Sequence, residues 1–175
     1  MKYVAFLRGI NVGKHRRISM AELKHAFEAA GYGEVSTYIA SGNVIFNAVG
    51  EDVETLTAEA EVKLESALGY HLDVIMRSAD ALSGLVAANP FAEVQRTDQI
   101  RLNVTFLGDP PKDDQPAPQV PGFRIVHVAG RAVCSVLDLG EIGMTDVMTM
   151  LEKTFGKRIT TRSWKVIQEI NSRYL

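Results

Sequence analysis

A chain of 175 residues, 46% hydrophobic and 23% charged, has the composition of an ordinary globular protein and about one domain's length. Its net charge of −2 argues against gross electrostatic capture by nucleic acid or membrane, and no apolar run approaches the roughly 18–20 residues of a membrane span. A single cysteine, Cys134, excludes an intrachain disulfide, and the N-terminal apolar run ends at Arg8, too short for a secretory signal. A soluble cytoplasmic protein is the expectation.

Tyr3 to Leu7 is a short, nearly continuous apolar run, as a buried central strand requires. It leads into Arg8-Gly9-Ile10-Asn11-Val12-Gly13-Lys14, a loop bracketed by glycines. Ser19 and Glu22 have the spacing of a capping box, and Met20, Leu23, Phe27 and Ala30 then recur at helical spacing up to Gly31. Val35 to Ile39 and Asn43 to Phe46 read as two strands joined by a turn at Ala40-Ser41-Gly42. Val53, Leu56, Ala60, Leu64 and Ala67 mark a second amphipathic helix ended by Gly69. Leu72, Val74 and Met76 alternate with His71, Asp73 and Arg77 as a fourth strand. The order β-α-β-β-α-β is that of a ferredoxin-like unit.

The second half reads as a looser copy. A connecting helix over Ala79 to Ala88 is capped by Ser78 and stopped before Pro90. A strand through Leu102, Val104 and Phe106 follows. Five of the six prolines then fall between Pro110 and Pro121, where no regular helix fits. Phe123–Val128 and Ala132–Leu137 predict a hairpin over Ala129-Gly130. Met144, Val147, Leu151 and Phe155 predict a helix, Arg158 to Thr161 a last strand, and Trp164, Ile167, Ile170 and Tyr174 a terminal helix. The predicted class is α+β, with two ferredoxin-like subdomains in tandem at 1–78 and 100–175. Residues 79–99 connect them, and the Pro-rich loop replaces one helix of the second copy.

Candidate chemistry is sparse. The Gly9 to Gly13 loop has three residues between its glycines, and His15 follows Lys14. A phosphate-binding P-loop needs four residues, and Ser or Thr after the lysine, so nucleoside-triphosphate hydrolysis is rejected. A looser anion nest built from backbone N–H groups, with Arg8 and Lys14 beside it, stays open against a plain tight turn. The third strand, Ser41 to Phe46, lacks the paired aromatics on which RNA bases stack, which argues against sequence-specific nucleic-acid binding. Glu22 and His25 make a lone Glu-x-x-His where a di-iron bundle needs two, so no metal site is predicted, and no cofactor. His127 and Cys134 fall diagonally on one face of the hairpin, too far apart for an activated thiolate, which leaves Cys134 a buried structural residue. Ser41 has no nucleophile elbow around it and reads as a turn residue. Arg162 and Trp164 either pack the last helix or supply a cation and a flat wall to a pocket.

The segments Leu7-Arg8-Gly9-Ile10-Asn11-Val12-Gly13, Met20-Ala21-Glu22-Leu23, Thr37-Tyr38-Ile39-Ala40-Ser41-Gly42-Asn43-Val44, Arg77-Ser78, Asn89-Pro90-Phe91, Val104-Thr105-Phe106 and Thr161-Arg162-Ser163-Trp164 resemble, in this order, the DUF 1697 family of uncharacterised bacterial proteins. The resemblance spans nearly the whole chain. It implies a fold of two ferredoxin-like subdomains and no particular activity. Two departures stand out. Family members commonly carry a helical segment where this chain runs Pro110 to Pro121, and a Ser-Lys pair where it has Gly143-Met144-Thr145.

Arg8, Asn11, Lys14, Ser41, Asn43 and Arg77 come from strand ends and turns of the first unit, and Arg162 and Trp164 from the second. Arginines fork naturally onto carboxylate or phosphate. The expectation is a small anionic or nucleotide-like ligand at a polar site between the subdomains. A noncatalytic interaction or dimerisation module, with a homodimer as its simplest form, and an enzyme on a phosphorylated substrate are the alternatives. No residue presents itself as a general base, and none is named catalytic.

Overall fold

The computed structural model describes residues 1–11, 17–50, 52–112 and 117–175. The described residues form an α+β fold of two four-stranded antiparallel sheets and five helices. The chain divides into two compact units, Met1–Leu82 with Tyr174–Leu175, and Ser83–Arg173.

In the first unit the elements run β1 (Lys2–Leu7), α1 (Met20–Ala29), β2 (Gly33–Tyr38), β3 (Asn43–Asn47), α2 (Val53–Leu68) and β4 (Val74–Ser78). The sheet order is β2-β3-β1-β4, so β1 is central and pairs antiparallel with β3 and β4 on either side. That position explains its unbroken apolar run: Tyr3, Val4, Ala5, Phe6 and Leu7 are all buried. Tyr3, Ala5 and Leu7 face the helices with Val44, Phe46, Val74 and Met76, and Leu23, Phe27, Leu56, Ala60 and Leu64 close over them. Phe27, Tyr32 and Phe46 form a tilted aromatic cluster with centroids 4.7–5.8 Å apart, within the range where such pairs add to plain burial.

Local chemistry sets the helix ends. In the capping box the Glu22 N–H donates to Ser19 Oγ at 3.1 Å and the Ser19 N–H to Glu22 Oε2 at 2.8 Å. The Ser19 N–H, and after it the Ser19 hydroxyl, hold the Glu22 carboxyl below its ordinary range. Asp52 caps α2 by accepting from the Thr55 N–H at 2.9 Å, and Gly69 ends the helix in a left-handed turn. Between β2 and β3, Gly42 has φ +77, and a Cβ there would stand 2.4 Å from Ile10 Cδ1. Only glycine lets this turn lie against the end of β1, where the Leu7 N–H donates to Gly42 O at 2.9 Å.

α3 (Ala79–Ala88) follows, and the division between units falls within it. The Ser78 hydroxyl caps it, accepting from the Ala81 N–H at 3.2 Å. The second unit continues with β5 (Ile100–Leu107), β6 (Phe123–Ala129), β7 (Ala132–Asp138), α4 (Val147–Phe155), β8 (Ile159–Ser163) and α5 (Trp164–Tyr174), with sheet order β6-β7-β5-β8. Among the described residues between Leu107 and Phe123 there is no helix, only a bridge from Val120 to Phe123. Leu107, Phe123, Val133, Leu151 and Ile159 form the core under α4. No helix among the described residues is long and apolar enough to cross a membrane.

Four readings need correction. The fourth strand starts at Val74, so His71–Asp73 are loop rather than strand. The Val74 N–H, on the edge of β4 away from β1, donates to Glu61 Oε1 of α2 at 3.0 Å. α4 starts at Val147, three residues after Met144, because Asp146 accepts from the Thr149 N–H at 3.0 Å and so fixes the cap. The last strand reaches Ser163, placing Arg162 inside it. His127 sits directly opposite Cys134, because the hairpin turns at Gly130 and Arg131, one residue later than predicted, and pairs Ala129 with Ala132.

Candidate functional site

The predicted ligand residues of the first unit divide between two ends of its sheet. At one end, β1 stops at Leu7 and the chain turns out through Arg8 and Gly9, whose φ of +68 suits glycine. Asn43, the first residue of β3, pairs with Phe6 of β1, so the Ser41-Gly42 turn lies at this same end. Arg77 pairs with Val4, three rows back along β1 from the Leu7–Val74 pair, and its Nη1 donates to Met76 O at 2.6 Å. Arg77 therefore lies apart from Arg8. Lys14 falls outside the described residues.

Two of the clustered polar side chains hold the backbone. Asn11, in the left-handed region at φ 56, accepts from the Ile18 N–H at 2.9 Å. Its Nδ2 donates to Ile18 O and to Ala40 O, both at 3.1 Å. One side chain thus closes its own loop and ties it to the neighbouring turn. Asn43 is fully buried and donates to Tyr38 O at 2.8 Å and Ser41 Oγ at 3.0 Å, closing the β2–β3 turn from inside. Such amides satisfy buried carbonyls that would otherwise stand unpaired.

Arg8 differs. Its backbone N–H donates to Asp73 O at 3.0 Å, and its Nη1 lies 3.4 Å from Asp73 Oδ2 with each side chain about a third exposed, at 32%. A tight charge-assisted N–H···O bond measures about 2.7–2.9 Å, so this pair is loose. Arg8 and Asp73 line a cavity of about 210 Å³ with Gly9, Ile10, Tyr70, His71 and Leu72. The far wall is the α2–β4 loop. The His71 Nδ1 meets Glu65 Oε2 at 3.2 Å, and His71 Nε2 is 3.4 Å from Asp73 Oδ1. The Glu65 hydrogen bond, aided by Asp73 and Glu61, raises the His71 pKa above its ordinary value. Asp73 therefore offers one oxygen to Arg8 and the other to His71.

Sequence reasoning missed the whole α2–β4 wall. Its signal was His71-x-Asp73 directly after a helix carrying Glu61 and Glu65, which lie four apart and so on one face. A period-two reading absorbed both residues into a strand.

In the second unit, Arg162 is buried on β8 opposite Val104, and its Nη1 donates to Thr160 Oγ1 at 2.7 Å and Thr161 O at 3.0 Å. Burial pulls its pKa down to about 10. Trp164 is 2% exposed and meets Phe91 edge-on at 5.2 Å. Its indole Nε1 has no hydrogen-bond partner among the described residues. The unit's cavity of about 390 Å³ is lined by Gln95, Thr97, Arg124, Asp138 and Glu141 among others, and neither Arg162 nor Trp164 reaches it. Cys134 is buried, and desolvation pushes its thiol up to about 12.

Residues 1–121 match the model of a family described as "Protein of unknown function (DUF1697)". Among curated proteins none matches in sequence. The fold is similar to that of the conserved bacterial protein SP0830 from Streptococcus pneumoniae, with a TM-score of 0.71 and 20% identity over 98% of this chain and 96% of that one.

Proposed function

The chain belongs to the DUF1697 family, and from that premise and the geometry of the first unit we propose that it binds a small anionic ligand at the Arg8 end of the first sheet. The observation that carries this reading is the loose Arg8–Asp73 pair in a cavity of about 210 Å³. Drug-sized ligands occupy roughly 300–1,000 Å³, so this cavity takes a phosphate- or carboxylate-bearing fragment rather than a whole nucleotide. The anion binds Arg8 in place of Asp73. The released carboxylate then accepts from a neighbouring hydroxyl or amino group of the ligand, which selects hydroxy acids and sugar phosphates over bare anions. The wall also carries His71, whose pKa is raised chiefly by its hydrogen bond to Glu65. No catalytic residue is assigned.

We read each unit as ferredoxin-like. The β-α-β-β-α-β order of the first and the matching strand orders of both sheets support this. A cytoplasmic setting accords with one buried cysteine.

The test is a thermal-shift panel of inorganic phosphate, sugar phosphates, hydroxy acids and nucleoside monophosphates on wild type, Arg8→Ala and Asp73→Asn. A ligand at about a hundred times its dissociation constant adds about 2.7 kcal/mol. For a chain of this length that is roughly 5–10 °C. The reading predicts such a shift for a hydroxylated anion, lost in Arg8→Ala and weakened in Asp73→Asn. A flat panel with folded variants overturns it and favours an interaction module.

A further inference from the structure

One Asp73 oxygen faces His71 across 3.4 Å. With Nδ1 held by Glu65 Oε2, the imidazole turns its Nε2 toward that carboxylate oxygen, and a proton or a metal ion between the two completes the contact. A proton needs only these two partners, but the structure supplies a third. A ligand atom of Glu61 joins those of His71 and Asp73, all within 4.8 Å of one another.

We infer that Glu61, His71 and Asp73 form a binding site for a divalent metal ion of the zinc class, with Glu65 as the residue that orients the imidazole. The spacing fits. Two donors on a tetrahedral ion with bonds of about 2.0–2.1 Å stand roughly 3.4 Å apart, the printed Nε2–Oδ1 separation. The donor set, one imidazole and two carboxylates, suits a borderline ion and leaves a position for water or substrate. Glu65 on Nδ1 reproduces the carboxylate–histidine–metal arrangement, in which the outer carboxylate fixes the tautomer and raises ligand basicity. Glu61 and Glu65 lie one turn apart on α2, so a single helix face presents a ligand and its supporting group together. Arg8 touches the other oxygen of Asp73, so the metal and the guanidinium do not compete for one atom.

The site shares His71 and Asp73 with the cavity wall, but the inference does not depend on the anion proposal, since the probe is the metal alone. Zn²⁺ is titrated calorimetrically into EDTA-treated, dialysed wild type, His71→Ala, Glu65→Gln and His25→Ala. Saturable binding at one equivalent is expected, lost in His71→Ala, weakened about 10- to 100-fold in Glu65→Gln and unchanged in His25→Ala. Amide signals of Leu72 and Val74 should broaden first with Mn²⁺ in nuclear magnetic resonance spectra. His71 is half exposed, so His71→Ala should match the melting of wild type in EDTA. Zinc binding that survives His71→Ala, or none in wild type, overturns the site. Broadening centred elsewhere does so too.

Discussion

Replacing Asn11 by alanine removes the tie that holds the chain where it leaves β1. Three hydrogen bonds go, one from the Ile18 N–H and two to the carbonyls of Ile18 and Ala40. Each is worth about 1 kcal/mol net, less where water can substitute, so their loss costs about 2 kcal/mol. Alanine at φ 56 adds roughly 1–2 kcal/mol that asparagine largely escapes. The sum, about 3 kcal/mol, lowers the melting temperature by roughly 6–12 °C. Glycine separates the two contributions. It adopts the left-handed conformation without strain, losing the same bonds and roughly 0.5–1 kcal/mol of chain entropy. Asn11→Gly should therefore be more stable than Asn11→Ala by about 0.5–1 kcal/mol while falling below wild type. Urea unfolding followed by circular dichroism resolves that order. An Asn11→Ala variant as stable as wild type, or Asn11→Gly less stable than Asn11→Ala, refutes the reasoning.

Gly42→Ala should cost about 3 kcal/mol or fail to accumulate folded protein, because its Cβ would stand 2.4 Å from Ile10 Cδ1 at a backbone φ of +77; a melting temperature near wild type contradicts this. Cys134, buried and pushed up to about 12, should resist alkylation in the native state and react fully in denaturant; rapid native labelling at pH 8 counts against its burial. The capping carboxyls of Asp52 and Asp146 are held below their ordinary range by hydrogen bonds to Thr55 and Thr149. Their contribution is complete above the unfolded pKa and disappears as pH falls through the lowered folded value. Asp146→Ala should thus destabilise at pH 7 and much less at about pH 2. An equal loss at both pH values would show that the cap is not acting through its charged form.

What the sequence reveals tracks how local each cause is. The capping box at Ser19 and Glu22, the glycine stop at position 69 and the buried run of β1 are written within a few residues each, and pattern reading finds them. The proline cluster before Pro121 excludes a helix by the same local logic. Asn11 and Asn43 are visible as polar residues at strand ends, but not as backbone ties. The partners that make them so, Ala40 for Asn11 and the buried interior of the turn for Asn43, are set by the packed sheet. Arg77 and Arg8 look alike in the chain, and only the pairing of β4 with β1 puts them at different rows. The His71–Asp73 wall is lost for a sharper reason. Alternation continued across the true start of the strand, and the side chain that takes its first N–H, Glu61, lies 13 residues away.

The central claim, a ligand site at the Arg8 end of the first sheet, is tested most directly by ¹H–¹⁵N correlation spectra of the labelled protein during titration with a sugar phosphate and a hydroxy acid. The account predicts saturable shifts confined to the amides of Arg8–Ile10 and Tyr70–Asp73, absent in Arg8→Ala. Shifts that never saturate, or that gather around the α1–α2 groove lined by Ala21, Ala29 and Leu68, would contradict it.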